Sequence, residues 1–321
     1  MKTADMQEYH IREHRESDIG GVLSLFRSSF NKEISEDWFR WKYHRSPWGS
    51  RGYVALHGDE VVAFYGGIKL HFSFMGNRLT AYQLCDVMTD PRYRARLVGK
   101  TPLIVMLGET LYRENRMDFA FGFPSLRHAR LQSLRLGGQG YRLVRSYKKE
   151  ALRKRAFLRR FRTKEGWEYL KGGDTERFAA LNADGTLRLA KDERYIRWRY
   201  PENPSKRYGL IAFKRLHLTK GYVVFTIEEG SLNILEVFCG EPGELEDILI
   251  AAEAYAADKA LKGIRAWFHP SEPLISSVES LGYSGEDGIP LAFKPVNNAC
   301  GVTPDIFYEN YFYRMGDYDA S

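Results

Sequence analysis

Of 321 residues, 44% are hydrophobic and no low-complexity run interrupts them, enough apolar side chain for two sizeable cores. The formal charge of +7 arrives without a recognised nucleic-acid module or a basic–aromatic stacking platform, so nucleic acid is not expected as a partner. No stretch approaches the ~18 apolar residues of a membrane span, and residues 1–15 lack a signal-peptide core. Cys85, Cys239 and Cys300, odd in number and widely spaced, suit neither a disulfide framework nor a zinc site, so a metal-free protein of the reducing cytoplasm is expected.

In chain order, 9–15 reads as a first strand, and Glu16-Ser17-Asp18 opens a capped helix that reaches Phe30. Segments 53–56 and 61–68 read as paired strands, and 70–74 and 79–84 alternate across Gly76-Asn77, a hairpin signal. Residues 82–88 form a buried strand that carries Cys85. A basic turn follows at 91–100, then a helix marked by Leu103, Met106, Leu107 and Leu111, with Pro102 in its first turn. Beyond it come a strand at 118–123, a helix at 125–136 and a strand at 141–147. Residues 142–164 hold eleven Lys or Arg against one acid, Glu150. Leu152, Phe157, Leu158 and Phe161 fall near one helical face there. This reads as a basic amphipathic connector, either docking on an anionic membrane surface or packed as a solvated linker.

The turn Pro91-Arg92-Tyr93-Arg94-Ala95-Arg96-Leu97-Val98-Gly99-Lys100 stands in front of a helix N-terminus. Its backbone N–H groups lack intrahelical partners and the dipole adds positive charge. With Arg92, Arg94, Arg96 and Lys100 the turn reads as a pyrophosphate cradle; the alternative is an ordinary basic strand-to-helix turn. Arg94-x-x-Leu97-x-Gly99 resembles the coenzyme A loop of the GNAT acetyltransferase superfamily, Gln/Arg-x-x-Gly-x-Gly/Ala, with Leu97 where that family has its first glycine. The resemblance covers about residues 9–150.

A duplication follows. Asp37-Trp38-Phe39-Arg40-Trp41-Lys42-Tyr43 recurs as Arg194-Tyr195-Ile196-Arg197-Trp198-Arg199-Tyr200, and Phe123-Pro124-Ser125 with Leu136-Gly137 is echoed by His269-Pro270-Ser271 with Leu281-Gly282. The chain resembles a tandem GNAT-like protein: an α/β (α+β mixed-sheet) fold, present twice. A CoA-binding domain is expected at 1–150, the connector at 151–172 and a degenerate copy at 173–321. In the second copy Glu241, Glu244, Glu246 and Asp247 precede a helix expected at 248–261, where they would repel a pyrophosphate. Trp41, Trp198, Tyr43 and Tyr200 read as core or inter-domain packing. Two-domain acetyltransferase-like proteins encoded among bacterial surface-polysaccharide genes share the Trp-Arg-Tyr segment and the terminal Gly316-Asp317-Tyr318-Asp319.

The resemblance implies acetyl transfer from acetyl-CoA to a small or sugar-linked primary amine by direct attack on the thioester. Val87, Met88 and Thr89 would meet the pantetheine at a strand bulge, and the Met88 amide would face the thioester carbonyl as an oxyanion donor. Arg94, Ala95, Arg96, Leu97, Val98, Gly99 and Lys100 would hold the phosphates. Asp86, expected on the strand face of Leu84 and Met88 in apolar company that raises its pKa, is the candidate base, or else a turn-holding strand-end Asp. The family's tyrosine acid, four residues before a glycine, counts back from Gly137 to Ser133. A serine is a weak acid, but the thiolate leaves with little help; Tyr141 or Tyr82 could substitute. His128 reads as an exposed helix side chain. The rival functions are a non-catalytic module for coenzyme A or an acidic glycan, and aminoacyl transfer from charged tRNA by related tandem folds.

Overall fold

The computed structural model describes residues 9–94, 97–98, 101–150, 161–175, 177, 186–239, 243–273 and 275–318, with backbone alone at 97–98. The first half contains β1 (Tyr9–Glu13), α1 (Ile19–Phe30), α2 (Glu36–Tyr43), β2 (Ser50–His57), β3 (Glu60–Phe74), β4 (Asn77–Thr89), β5 (Leu97–Val98), β6 (Thr101–Pro102), α3 (Leu103–Glu114), β7 (Phe119–Gly122), α4 (Leu126–Arg135) and β8 (Tyr141–Lys149). The second contains β9 (Arg162–Glu165), β10 (Arg188–Leu189), α5 (Glu193–Arg199), β11 (Gly209–Arg215), β12 (Leu218–Glu228), β13 (Ser231–Cys239), α6 (Glu244–Asp258), β14 (Gly263–Trp267), α7 (Ile275–Ser280), β15 (Ser284–Pro295) and α8 (Pro304–Asn310).

Local chemistry sets the element boundaries. Ser35, Asp192 and Ser125 cap α2, α5 and α4 by accepting the N–H of Trp38, Tyr195 and His128, groups no helical carbonyl could reach. Between β3 and β4, Met75 and Gly76 both take positive φ and Phe74 lies opposite Asn77. The two-residue turn is therefore Met75-Gly76, one residue earlier than the Gly76-Asn77 signal suggested.

The strands join one 13-stranded mixed sheet in the order β1-β2-β3-β4-β7-β15-β8-β14-β13-β12-β11-β9, with β10 pairing β3. Among the described strands, only the pairs β4–β7 and β13–β14 are parallel. Parallel neighbours need a crossover, and α3 and α6 supply the two. The run β2-β3-β4-α3-β7-α4-β8 thus recurs as β11-β12-β13-α6-β14-α7-β15. Each run ends on its counterpart's sheet: β15 lies against β7, and β8 lies against β14. Gly137 and Gly282, the repeated glycines, both take positive φ just beyond α4 and α7, where a left-handed residue ends a helix.

One core spans both halves on one face of the sheet and contains Trp38, Trp41, Phe72, Phe121, Trp198 and Phe307. On the opposite face α3 covers the first half with Leu103, Leu107 and Leu111, and α6 covers the second with Ile248, Leu249 and Ala252. Trp41 and Trp198 are 2% and 3% exposed, so their reading as packing residues is correct.

Three expectations need correction. Helix α6 begins at Glu244, four residues earlier than the expected 248, because its acidic first turn favours the dipole there, and it stops before Ala260, which takes positive φ. Pro102 caps α3 instead of lying in its first turn. The basic stretch 142–164 is not one amphipathic helix: its ends are strands β8 and β9, Phe161 is buried against Phe213, and Leu152, Phe157 and Leu158 lie outside the described residues.

Candidate active site

Strands β4 and β7 pair from Ala81–Phe119 to Gln83–Phe121 and then part. On its other edge β4 pairs Cys85 with Gly66 and Met88 with Phe64, so it carries one residue more than β3 between those pairs. That bulge places Asp86 at a φ of 50°. An extra residue reverses the alternation of faces. Leu84 accordingly packs in the core under α3, while Cys85 and Met88 pack in the shared core on the other face. Leu84 and Met88 are therefore on opposite faces, contrary to the sequence expectation.

Where the strands part, a cavity of about 400 Å³ opens. Gln83, Leu84, Cys85, Asp86 and Val87 line it from β4, Gly122 to Ser125 from the end of β7, and His128 and Gln132 from α4. Tyr318 of the C-terminal segment forms a further wall. Gln83 holds that segment by donating to the carbonyl of Asp317 at 2.6 Å.

Asp86 does not stand in apolar company. Its Oδ2 accepts from the Tyr43 hydroxyl at 2.7 Å and lies 2.7 Å from the Lys42 ammonium, whose side chain is fully buried. Burial, then the Asp86 charge, push the Tyr43 phenol well above its ordinary value, so it stays protonated and donates. Lys42 also sits 4.6 Å from the centre of the Trp38 ring. Gly66 makes the approach possible, since a Cβ there would overlap the Tyr43 hydroxyl. The second half repeats the device: the Tyr200 hydroxyl donates to Glu236 at 2.7 Å, Lys191 approaches Glu236 at 2.7 Å, and a Cβ at Gly316 would overlap the Tyr200 hydroxyl.

His128 is not the exposed helix side chain expected from sequence. Its Nε2 is buried without a hydrogen-bond partner, and desolvation lowers its pKa to about 4, so the ring is neutral near pH 7. The Ser125 cap and the i, i+4 spacing to Gln132 turn both side chains toward the cavity. Ser133, one residue further round the helix, donates back to the Ala129 carbonyl at 3.1 Å and does not line the cavity. Tyr82 is buried in the core under α3, and neither it nor Tyr141 reaches the cavity. The signal for His128 was present in Ser125-x-x-His128, but only the packing of α4 shows which way the ring faces.

Of the proposed coenzyme A residues, Val87 lines the cavity, Met88 buries its side chain elsewhere, and the Thr89 carbonyl accepts from Arg94 Nε at 3.0 Å. Arg92 is engaged by Asp90 at 3.0 Å and by Glu60, so it is not a free charge for a phosphate. The backbone at Leu97 and Val98 pairs with Thr101 and Pro102, which makes the turn a short hairpin before α3. Ala95, Arg96, Gly99 and Lys100 lie outside the described residues, as does Glu241 of the acidic counterpart. There Glu244 pairs with Lys220 at 2.9 Å. Among the described residues, no group of three or more His, Cys, Asp or Glu could hold a metal, and no helix is long and apolar enough to cross a membrane.

Residues 10–129 match the family described as Acetyltransferase (GNAT) domain. No curated protein matches the sequence. Among solved structures the chain is similar to a conserved protein of unknown function from Enterococcus faecalis V583, a probable N-acyltransferase: TM-score 0.66 and 12% identity over 90% of this chain and 73% of that one. It is similar also to GCN5-related N-acetyltransferases from Kribbella flavida (TM-score 0.63, 19% identity, 90% and 71% covered) and Anabaena variabilis (0.65, 11%, 90% and 73%). At such identities the likeness is one of fold. Residues 10–129 are therefore similar to an acetyltransferase (GNAT) domain, in a chain whose mixed α/β fold is that of the solved GCN5-related N-acetyltransferases.

Proposed function

We propose that the first half transfers an acetyl group from acetyl-CoA to a primary amine, in a chain built as two GNAT-like copies divided near residues 150 and 173. The gap between β4 and β7 carries this reading. Beyond Gln83 and Phe121 the two strands no longer pair, and an extended arm can lie between their edges as an added strand. The thioester supplies an activated acetyl group whose thiol leaves when the amine attacks. Residues 87–89 would border the arm, the Met88 amide would serve the oxyanion, and Arg94 with the turn at 95–100 would border the phosphates.

The amine must lose a proton as it attacks. His128 is assigned that proton: its side chain lines the cavity, and desolvation keeps the ring neutral at physiological pH. Asp86 also borders the cavity, but its Oδ2 already accepts from Tyr43 and faces Lys42. Its part is to hold the bulge, and with it the backbone of residues 87–88. Calorimetry with acetyl-CoA, followed by thiol release on a panel of amines, tests the reading. Binding without thiol release on any amine would leave the non-catalytic module as the better account.

A further inference from the structure

In the first half, the sheet face that bears the shared core is filled by side chains such as Phe72, Phe119 and Phe121. The same face of the second half turns polar. Thr226, Asn233 and Arg265 stand opposite one another across β12, β13 and β14, and the next row pairs Trp267 with Ser146 and Ser146 with Glu286. Over these rows lies a cavity of about 320 Å³, within the ~300–1,000 Å³ of small-molecule sites. Tyr318 forms a wall of this cavity and of the transfer cavity alike.

Asn233 carries a second mark of a ligand site. It is 7% exposed, its amide donates weakly to Glu228 at 3.4 Å, and its Oδ1 is buried with no hydrogen-bond partner. A buried acceptor without a donor is costly, and a hydroxyl donor from a ligand would recover that cost. Glu228 and Glu286 share the lining with Arg199, Lys206 and Arg265, so the cavity carries both signs of charge, which together with the amide of Asn233 disfavours a hydrocarbon and suits a polar ligand with both donors and acceptors. Tyr318, stacked on the buried Trp267 with ring centres 5.8 Å apart, offers flat apolar surface beside these polar groups. A molecule with hydroxyls around its edge and C–H groups on its faces meets all of these demands.

We propose that this second cavity binds a hexosamine. The carboxylates accept from its hydroxyls and ammonium, Arg265 donates to its oxygens, and Tyr318, backed by Trp267, faces its ring. The saccharide site stands on its own geometry; that the bound amine is the acetyl acceptor across Tyr318 rests on the transfer reading above.

The test is calorimetric titration of the full chain with glucosamine, galactosamine and their N-acetyl forms, in wild type, Arg265→Ala and Asn233→Leu. The Arg265 side chain is 46% exposed, so its removal does not threaten folding. Saturable binding of a hexosamine to wild type, weakened about 10-fold or more in either variant with coenzyme A affinity unchanged, is the expected result. No binding by any of the four at tens of millimolar, or binding that neither variant alters, would overturn the site. Loss of coenzyme A binding alone would overturn the transfer reading and leave the saccharide site standing.

Discussion

The indole Nε1 of Trp41 donates to the carbonyl of Trp198 at 2.8 Å, and the indole Nε1 of Trp198 donates to the carbonyl of Trp41 at 2.9 Å. Their rings stack 5.1 Å apart. Such reciprocity is the mark of a two-fold relation, here between two helices of one chain. Replacing either indole by Phe leaves a buried carbonyl unpaired, at about 1–3 kcal/mol. In a double-mutant cycle of Trp41→Phe and Trp198→Phe, denaturant unfolding should show the two losses to be non-additive by about 0.5 kcal/mol or more. Strict additivity would mean that the pair is not coupled.

The Lys42–Asp86–Tyr43 cluster yields a stability prediction. Asp86→Asn removes the charge paired at 2.7 Å with the fully buried Lys42 ammonium and should cost about 3–5 kcal/mol in equilibrium unfolding. Tyr43→Phe removes only one neutral donor and should cost less. Gly66→Ala should be comparably damaging to Asp86→Asn, because the new methyl occupies the place of the Tyr43 hydroxyl.

Catalysis separates His128 from Ser133. His128→Gln should lower the transfer rate about 100-fold or more while leaving coenzyme A affinity intact, as expected for loss of a proton acceptor. Ser133→Ala should retain most activity, since that hydroxyl is bound to its own helix. Equal rates in wild type and His128→Gln would remove the histidine from the mechanism.

The same histidine gives a signed pH dependence. Its folded pKa, about 4, lies below the unfolded value near 6.5, so the unfolded chain binds the proton more readily between those values. Stability from this group is full above pH ~6.5 and declines as pH falls toward 4. Thermal melts of wild type against His128→Gln should converge as pH falls through that window, and parallel curves would contradict it.

Coenzyme A should bind once per chain. Arg94→Glu places an anion beside the proposed phosphate turn and should weaken binding by about 10-fold or more, whereas Glu244→Ala, at the acidic counterpart, should change it little. Two equivalent sites in calorimetry would refute the assignment.

Much of the fold was legible because it rests on local rules. Alternation set the strands of the first half, Ser125 marked the start of α4, and the repeated Trp and Gly positions exposed the recurrence of one element order, whereas α2 and α5, capped by Ser35 and Asp192, were not read from the sequence. The site was less so. The bulge at Asp86 flips face parity at one residue, and a strand pattern read from sequence passes over it, which is why Leu84 and Met88 were expected together. The environment of Asp86 was misjudged for a related reason: Lys42 lies 44 positions away and reaches it only because α2 packs across β3 at Gly66.

The sequence by itself determined most element types of the first half, the basic turn before α3 and the near-repetition of one chain segment, since each depends on neighbours within a few residues. Only tertiary structure decided that β8 and β15 exchange places, that His128 faces inward, and that Tyr318 walls two cavities at once. These depend on contacts between residues as far apart as Gln83 and Asp317, whose free energy is set by which surfaces bury each other and not by any local pattern.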